Sequence, residues 1–223
     1  MPASNTAQRD TSLRITEIFY SLQGEARTVG LPTVFVRLTG CPLRCVYCDT
    51  EYAFTGGEQW TLDAIVAEVL SYTPRYVTVT GGEPLAHPNC LPLLTRLCDE
   101  GLEVALETSG AMSLAGVDER VSSVLDLKTP ASGEMGRNDY SNIERLRPLD
   151  QVKFVICDRA DYEWARFKLD EYGLAQRAGD VLFSPSFGQQ DATELADWVL
   201  ADRLPVRMQL QLHKLLWNDE PGR

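Results

Sequence analysis

Eight short apolar runs, separated by turns and longer helical stretches, constrain this chain more than any other feature. They occupy 14–20, 33–39, 76–80, 103–108, 123–128, 152–157, 181–184 and 206–212. They are rich in Val, Ile and Phe. Several are nearly continuous rather than alternating, the pattern of parallel strands covered on both faces. Between them lie helix patterns. Thr61 predicts an N-cap for 62–70, where Leu62, Ile65, Val66 and Val69 share one stripe. Stretches 89–100, 160–173 and 191–203 predict three more helices, the first stopping at Gly101 and the second at Gly173. Strand–helix alternation along the whole chain implies an α/β fold with right-handed crossovers. About six such steps follow residue 33, too few for a closed eight-stranded barrel. The predicted architecture is therefore a partial, open TIM-like β/α barrel of about six parallel strands.

No repeat, Gly/Ser linker or composition break divides the 223 residues, so a single domain is expected over 1–223, with 1–12 a flexible polar tail. The polar, Gly-containing stretch 128–142 reads as a mobile loop near the strand ends. The net charge of −11 argues against a nucleic-acid partner, since tracking a phosphate backbone rests on cation excess. No apolar run approaches the roughly 20 residues of a membrane span, and the N-terminus lacks an apolar signal segment. A cytoplasmic protein with reduced thiols is the expectation. Cys90 is isolated, while Cys98 and Cys157 lie in apolar runs and read as buried small hydrophobes.

In α/β sheets and barrels, ligands bind beyond the carboxyl ends of the strands. The unusual residues gather there: a cysteine cluster after 33–39, Gly-Gly-Glu-Pro at 81–84, Thr108 to Gly110, Asp126 with Lys128, and Ser184 to Gly188. Any one of these is what an ordinary turn needs. All five beside a metal motif imply one shared site.

The cluster is Cys41, Cys45 and Cys48, spaced C-x3-C-x2-C. Structural zinc normally takes four Cys or His ligands, and His87 and His213 are far off in sequence. Three cysteines on one loop fit a [4Fe–4S] cluster better, holding three irons and leaving the fourth open to a non-protein ligand.

This triplet, with Tyr47 before its last cysteine and Gly-Gly-Glu-Pro one strand later, resembles the radical S-adenosylmethionine (SAM) superfamily. The resemblance implies that SAM chelates the open iron through its amino and carboxylate groups. Electron transfer from the cluster then yields a 5′-deoxyadenosyl radical. A closer resemblance spans most of the chain. Leu-Gln-Gly-Glu at 22–25, Gly-Leu-Pro at 30–32, 35–41, Cys-Asp-Thr at 48–50, 78–84, Glu-Thr-Ser-Gly at 107–110, Asp126-x-Lys128 and 211–217 are similar to the 7-carboxy-7-deazaguanine synthase family. That implies conversion of 6-carboxy-5,6,7,8-tetrahydropterin to 7-carboxy-7-deazaguanine with loss of ammonia, SAM being regenerated and Mg²⁺ required.

Carried over by residue, the resemblance implies that Leu22, Gln23, Gly24, Arg37 and Thr80 hold the pterin, with Arg37 on its carboxylate. Tyr47, Asp49, Gly82, Glu83, Ser109, Asp126, Lys128, Ser184 and Ser186 would hold SAM, Glu83 accepting from its ammonium. Thr50 would give a hydroxyl to Mg²⁺. His213 and Lys214 read as part of the last strand, structural rather than catalytic. Ala26 stands where the family usually has glycine, which places a positive φ there in question. A homodimer is implied, with the strand 14–20 pairing across it, and a flavodoxin- or ferredoxin-type electron donor. The alternatives are a glycyl-radical enzyme activating protein, and a non-catalytic iron–sulfur or zinc-binding module.

Overall fold

The computed structural model describes residues 11–218, 220 and 222. The predicted tail therefore lies outside the described residues up to residue 10. Ser12 is already in the sheet: β1 (Ser12–Leu22) pairs antiparallel with β2 (Pro32–Leu38) and, through Ser12 to Ile15, with β3 (Glu58–Thr61). The rest of the sheet is parallel: β4 (Tyr76–Gly81), β5 (Glu103–Thr108), β6 (Ser122–Asp126), β7 (Gln151–Ile156), β8 (Asp180–Pro185) and the two-residue β9 (Arg207–Met208). The order is β3-β1-β2-β4-β5-β6-β7-β8-β9, and the sheet does not close on itself. Six full parallel strands, β2 and β4 to β8, match the expected open barrel.

Among the described residues, six α-helices occur in chain order. They are α1 (Leu62–Ser71), α2 (Cys90–Asp99), α3 (Arg159–Glu171), α4 (Leu174–Arg177), α5 (Ala192–Ala201) and α6 (Leu212–Trp217). Thr61 caps α1 as expected, its hydroxyl accepting from the Ala64 N–H at 3.2 Å. Two apolar cores lie between sheet and helices. One joins β1, β2, β4 and β5 to α1 and α2, and the other joins β6 to β8 to α3 and α5.

Alternation along the parallel strands builds the site. On β2, Val34, Val36 and Leu38 enter the first core, while Phe35 and Arg37 line a cavity on the opposite face. On β7, Val152, Phe154 and Ile156 enter the second core, and Lys153 and Val155 line the cavity. The inner face thus carries charge where a two-sided apolar covering was expected.

Three expectations change. The stretch 128–142 is tied down rather than mobile. Asn138 brackets Lys128, accepting from its N–H and donating to its carbonyl, both at 2.9 Å. Buried Asp161 accepts from the Thr129 hydroxyl at 3.0 Å and the Ala131 N–H at 2.9 Å. The run 206–212 is a strand only at Arg207 and Met208, and His213 and Lys214 lie in α6. Finally, Ala26 does adopt a left-handed backbone, at φ 64°, although it carries a Cβ.

Candidate active site

One cavity of 480 Å³ opens at the carboxyl ends of the strands, within the usual size range for small-molecule sites. Cys41, Cys45 and Cys48 line one side of it, on the loop after β2. All three are unpaired and partly exposed. Burial pushes each thiol up, Cys45 to about 11, so in the apo protein they hold their protons and iron must displace them. Among the described residues, no three His, Cys, Asp or Glu side chains converge tightly enough to hold a single metal ion. The donor set, three thiols and no histidine on one loop, fits [4Fe–4S] and not zinc.

The double glycine of 81–84 serves this loop. A Cβ on Gly82 would lie 2.2 Å from the Gly40 carbonyl oxygen and 2.7 Å from the Cys41 Cβ. Gly82 lets the end of β4 lie against the base of the cysteine loop, and it also lines the cavity. Glu83 is placed otherwise than expected. It is fully buried and absent from the cavity wall. Its carboxylate accepts from the Thr108 hydroxyl at 2.8 Å, the Ser109 N–H at 2.7 Å, the Ser109 hydroxyl, and the Leu85 N–H at 2.9 Å. Its acceptor capacity goes to binding the turn after β4 to the end of β5, not to a ligand's ammonium. Ser184 is likewise buried and off the wall, while Ser186 is on it.

The other expected residues meet in the cavity: Leu22, Gln23, Gly24, Arg37, Thr80, Tyr47, Asp49, Thr50, Ser109, Asp126 and Lys128. Arg37 donates from Nε to Glu17 at 2.6 Å, and its guanidinium lies 5.8 Å from the rings of both Phe19 and Tyr52. Glu17 also accepts from the Tyr52 hydroxyl at 2.8 Å. The Glu17 contact engages Nε; the Nη pair of a guanidinium is the part that can take a carboxylate bidentately. The Gln23 amide is spent internally, its Nε2 donating to Thr78 at 3.0 Å and its Oε1 accepting from the Glu25 N–H at 3.2 Å. Tyr47 Oη and Asp126 Oδ1 are buried with no hydrogen-bond partner among the described residues. Buried polar atoms on a cavity wall without partners point to a ligand that supplies them.

Sequence reasoning missed the floor of the cavity. Lys153 pairs with Glu25 and lies 3.7 Å from Asp126, which also pairs with Lys128 at 3.0 Å. Burial works against both lysine charges, but Asp126 at Lys128, and Glu25 with Asp126 at Lys153, more than offset it, and both pKa values stand above the ordinary lysine value. Glu107 faces the same floor; burial first, then the Glu25 charge, raises its pKa. It accepts from Thr80 at 3.2 Å. Gln211 donates to Glu25 at 2.6 Å. The same wall holds His213, Lys214, Glu220 and Gly222. Beyond the resemblance carried by 211–217, their sequence signal was polarity within an otherwise apolar strand, or proximity to the C-terminus.

Comparison with known proteins bears directly on this arrangement. Residues 35–130 match the family model described as the radical SAM superfamily. Over 93% of this chain and 98% of its own length, the 7-carboxy-7-deazaguanine synthase of Koribacter versatilis is 46% identical. That of Chlorobaculum tepidum is 44% identical over 95% of this chain and 97% of its own. The chain belongs to the 7-carboxy-7-deazaguanine synthase family. It is a radical SAM enzyme, with a [4Fe–4S] cluster and SAM as its cofactors, and neither the activating-protein reading nor the non-catalytic module is favoured. The fold agrees with the crystal structure of QueE from Escherichia coli, at TM-score 0.76 and 24% identity, covering 91% of this chain and 95% of that one. A more distant likeness, to Streptococcus suis SuiB, has TM-score 0.58 and 12% identity, covering 77% of this chain and 46% of that one.

Proposed function

We propose that this chain converts 6-carboxy-5,6,7,8-tetrahydropterin to 7-carboxy-7-deazaguanine and ammonia by radical ring contraction, in 7-deazapurine (queuosine-type) biosynthesis. The observation that carries the reading is a single cavity lined both by the three cluster thiols and by the Glu17-clamped Arg37 with half-buried Glu107. When bound, the cluster and SAM supply the hydrogen-abstracting radical; the protein supplies position and exclusion of water.

Arg37 takes the substrate carboxylate. Leu22, Gly24 and Thr80 bound the pterin, and Gln23 holds the shape of that wall through Thr78 and Glu25. Tyr47, Asp49, Gly82, Ser109, Asp126, Lys128 and Ser186 form the SAM side, with Asp126 and Lys128 as a charge pair for polar groups of SAM. Glu83 acts indirectly, by fixing Ser109. Thr50 gives its hydroxyl oxygen to Mg²⁺, an ion that keeps waters and takes further oxygens from the substrate. A homodimer and a flavodoxin- or ferredoxin-type donor complete the reading, in the cytoplasm. Ser12 to Ile15 of β1 are already paired with β3, so pairing across a dimer by this strand is restricted to residues after Ile15. Among the described residues, no helix is long and apolar enough to cross a membrane.

The test is anaerobic incubation of reconstituted enzyme with reductant, SAM, Mg²⁺ and the carboxylated pterin. The deazaguanine product is expected. An intact cluster that cleaves SAM and yields no product would overturn the substrate assignment while leaving the superfamily in place.

A further inference from the structure

Helix α6 reaches the cysteine loop through one buried side chain. Lys214 is 6% exposed, and its Nζ pairs with Asp49 Oδ2 at 2.7 Å. The other oxygen of that carboxylate accepts from the Thr50 hydroxyl, at 2.9 Å. Asp49 thus bridges α6 to Thr50. The helix is held in turn by the loop after β1. The Leu212 N–H donates to the Gly24 carbonyl at 3.0 Å, and His213 packs so closely that a Cβ on Gly24 would lie 2.0 Å from its Nδ1.

The chemistry of the bridge is specific. A hydroxyl has one proton and two lone pairs. With its proton committed to Asp49, Thr50 faces the cavity only as a lone-pair donor, which suits a cation. Asp49 holds that proton only while its carboxylate stays in place and occupied. Lys214 does both: it fixes the carboxylate, and it neutralises the charge that would otherwise draw the cation onto Asp49. Outer groups of this kind commonly decide how well a ligand atom is presented.

We infer that Lys214 is a positioning residue for the magnesium ion, setting the Thr50 hydroxyl through Asp49. The inference rests on reading Thr50 as the Mg²⁺ ligand, and it deepens that reading by tying the metal site to the C-terminal helix. In this role α6 does more than wall the cavity: its docking completes the cation site.

The experiment uses reconstituted holoenzyme of wild type, Lys214→Met, Lys214→Arg, Leu215→Ser and Thr50→Ala. Leu215, on the same helix, is 58% exposed and serves as the control. Two quantities are read: the Mg²⁺ concentration giving half-maximal rate, and Mn²⁺ binding by electron paramagnetic resonance with SAM and pterin present but no reductant. The second needs no turnover. Lys214→Met is expected to weaken both by roughly ten- to a hundredfold, with cluster absorbance unchanged. Lys214→Arg should recover part of the loss, Leu215→Ser should match wild type, and Thr50→Ala should lose at least as much as Lys214→Met. If Thr50→Ala binds metal normally, the Thr50 reading fails and the inference with it. If Thr50→Ala is impaired and Lys214→Met is not, the inference alone fails. Equal losses in Lys214→Met and Leu215→Ser mean general undocking of α6 and also overturn it. Should Lys214→Met not accumulate folded, Lys214→Gln, which keeps an N–H donor for Asp49 without the charge, takes its place with a smaller shift expected.

Discussion

The two walls of the cavity are built on different principles. The cluster side is made of contiguous segments: 41–50, 81–84 and 108–110. It is held by backbone contacts and by one buried carboxylate, Glu83, that the chain itself saturates. The opposite side is made of single side chains from separate strand ends and from α6, held by one another. Glu17 holds Arg37 and Glu25 holds Lys153, while Lys214 of α6 pairs with Asp49 of the first wall. The first wall is a scaffold for a cofactor that brings its own chemistry. The second is a set of charges whose positions depend on their partners, so it governs which substrate fits. Damage to the first wall should remove the reaction, and damage to the second should change its selectivity.

The sharpest break in that contrast is Cys45→Ala. Cys45 is partly exposed on a loop outside both cores. The variant is expected to fold, to lack the visible cluster absorption and to lose activity below detection; retained absorption would sink the assignment. Next comes Glu83→Ala, a test of whether this wall is a scaffold. It strands buried donors from Thr108, Ser109 and Leu85, and unpaired buried donors cost about 1–3 kcal/mol each. A stability loss of several kcal/mol should appear in denaturant unfolding, with weakened SAM binding in whatever remains folded. A merely local effect on SAM affinity would show instead that Glu83 touches the ligand.

On the other wall, Arg37→Ala should raise KM for the carboxylated pterin by about ten- to a hundredfold, the worth of a charged hydrogen bond. The rate of SAM cleavage should barely change. Equal loss of both would mean that the walls are not separable. The smallest effect is expected at Ala26→Gly. Glycine relieves a left-handed backbone but removes a buried methyl and adds unfolded-state freedom. The terms nearly cancel, leaving a change under about 1 kcal/mol in thermal unfolding. Ala26→Val, a β-branched residue in that region, should destabilise clearly.

Legibility followed the same division. The cysteine spacing, the double glycine and the helix caps are local, and each was readable from neighbours a few positions apart. Even there, Glu83 shows the limit: a carboxylate beside two glycines reads as a ligand contact, and only the fold reveals that β5 supplies its donors. The pairing of charges on the floor of the cavity was not legible. Glu25 and Lys153 are 128 positions apart, and Glu25 and Gln211 are 186 apart. Lys153 looked like one polar residue in an apolar strand. His213 and Lys214 followed a run that alternates like a strand, but the ladder with β8 holds only Arg207 and Met208, and 212–217 coils into α6.

By itself the sequence determined the fold class, the open sheet and the cofactor chemistry. Apolar periodicity and short-range spacing carry those, and both are properties of neighbouring residues. The tertiary structure alone decided which charges meet, because ion pairing depends on register between strands and on where the last helix docks. The cofactor wall was written locally. The substrate wall exists only once six strands and the last helix have brought its residues to one place.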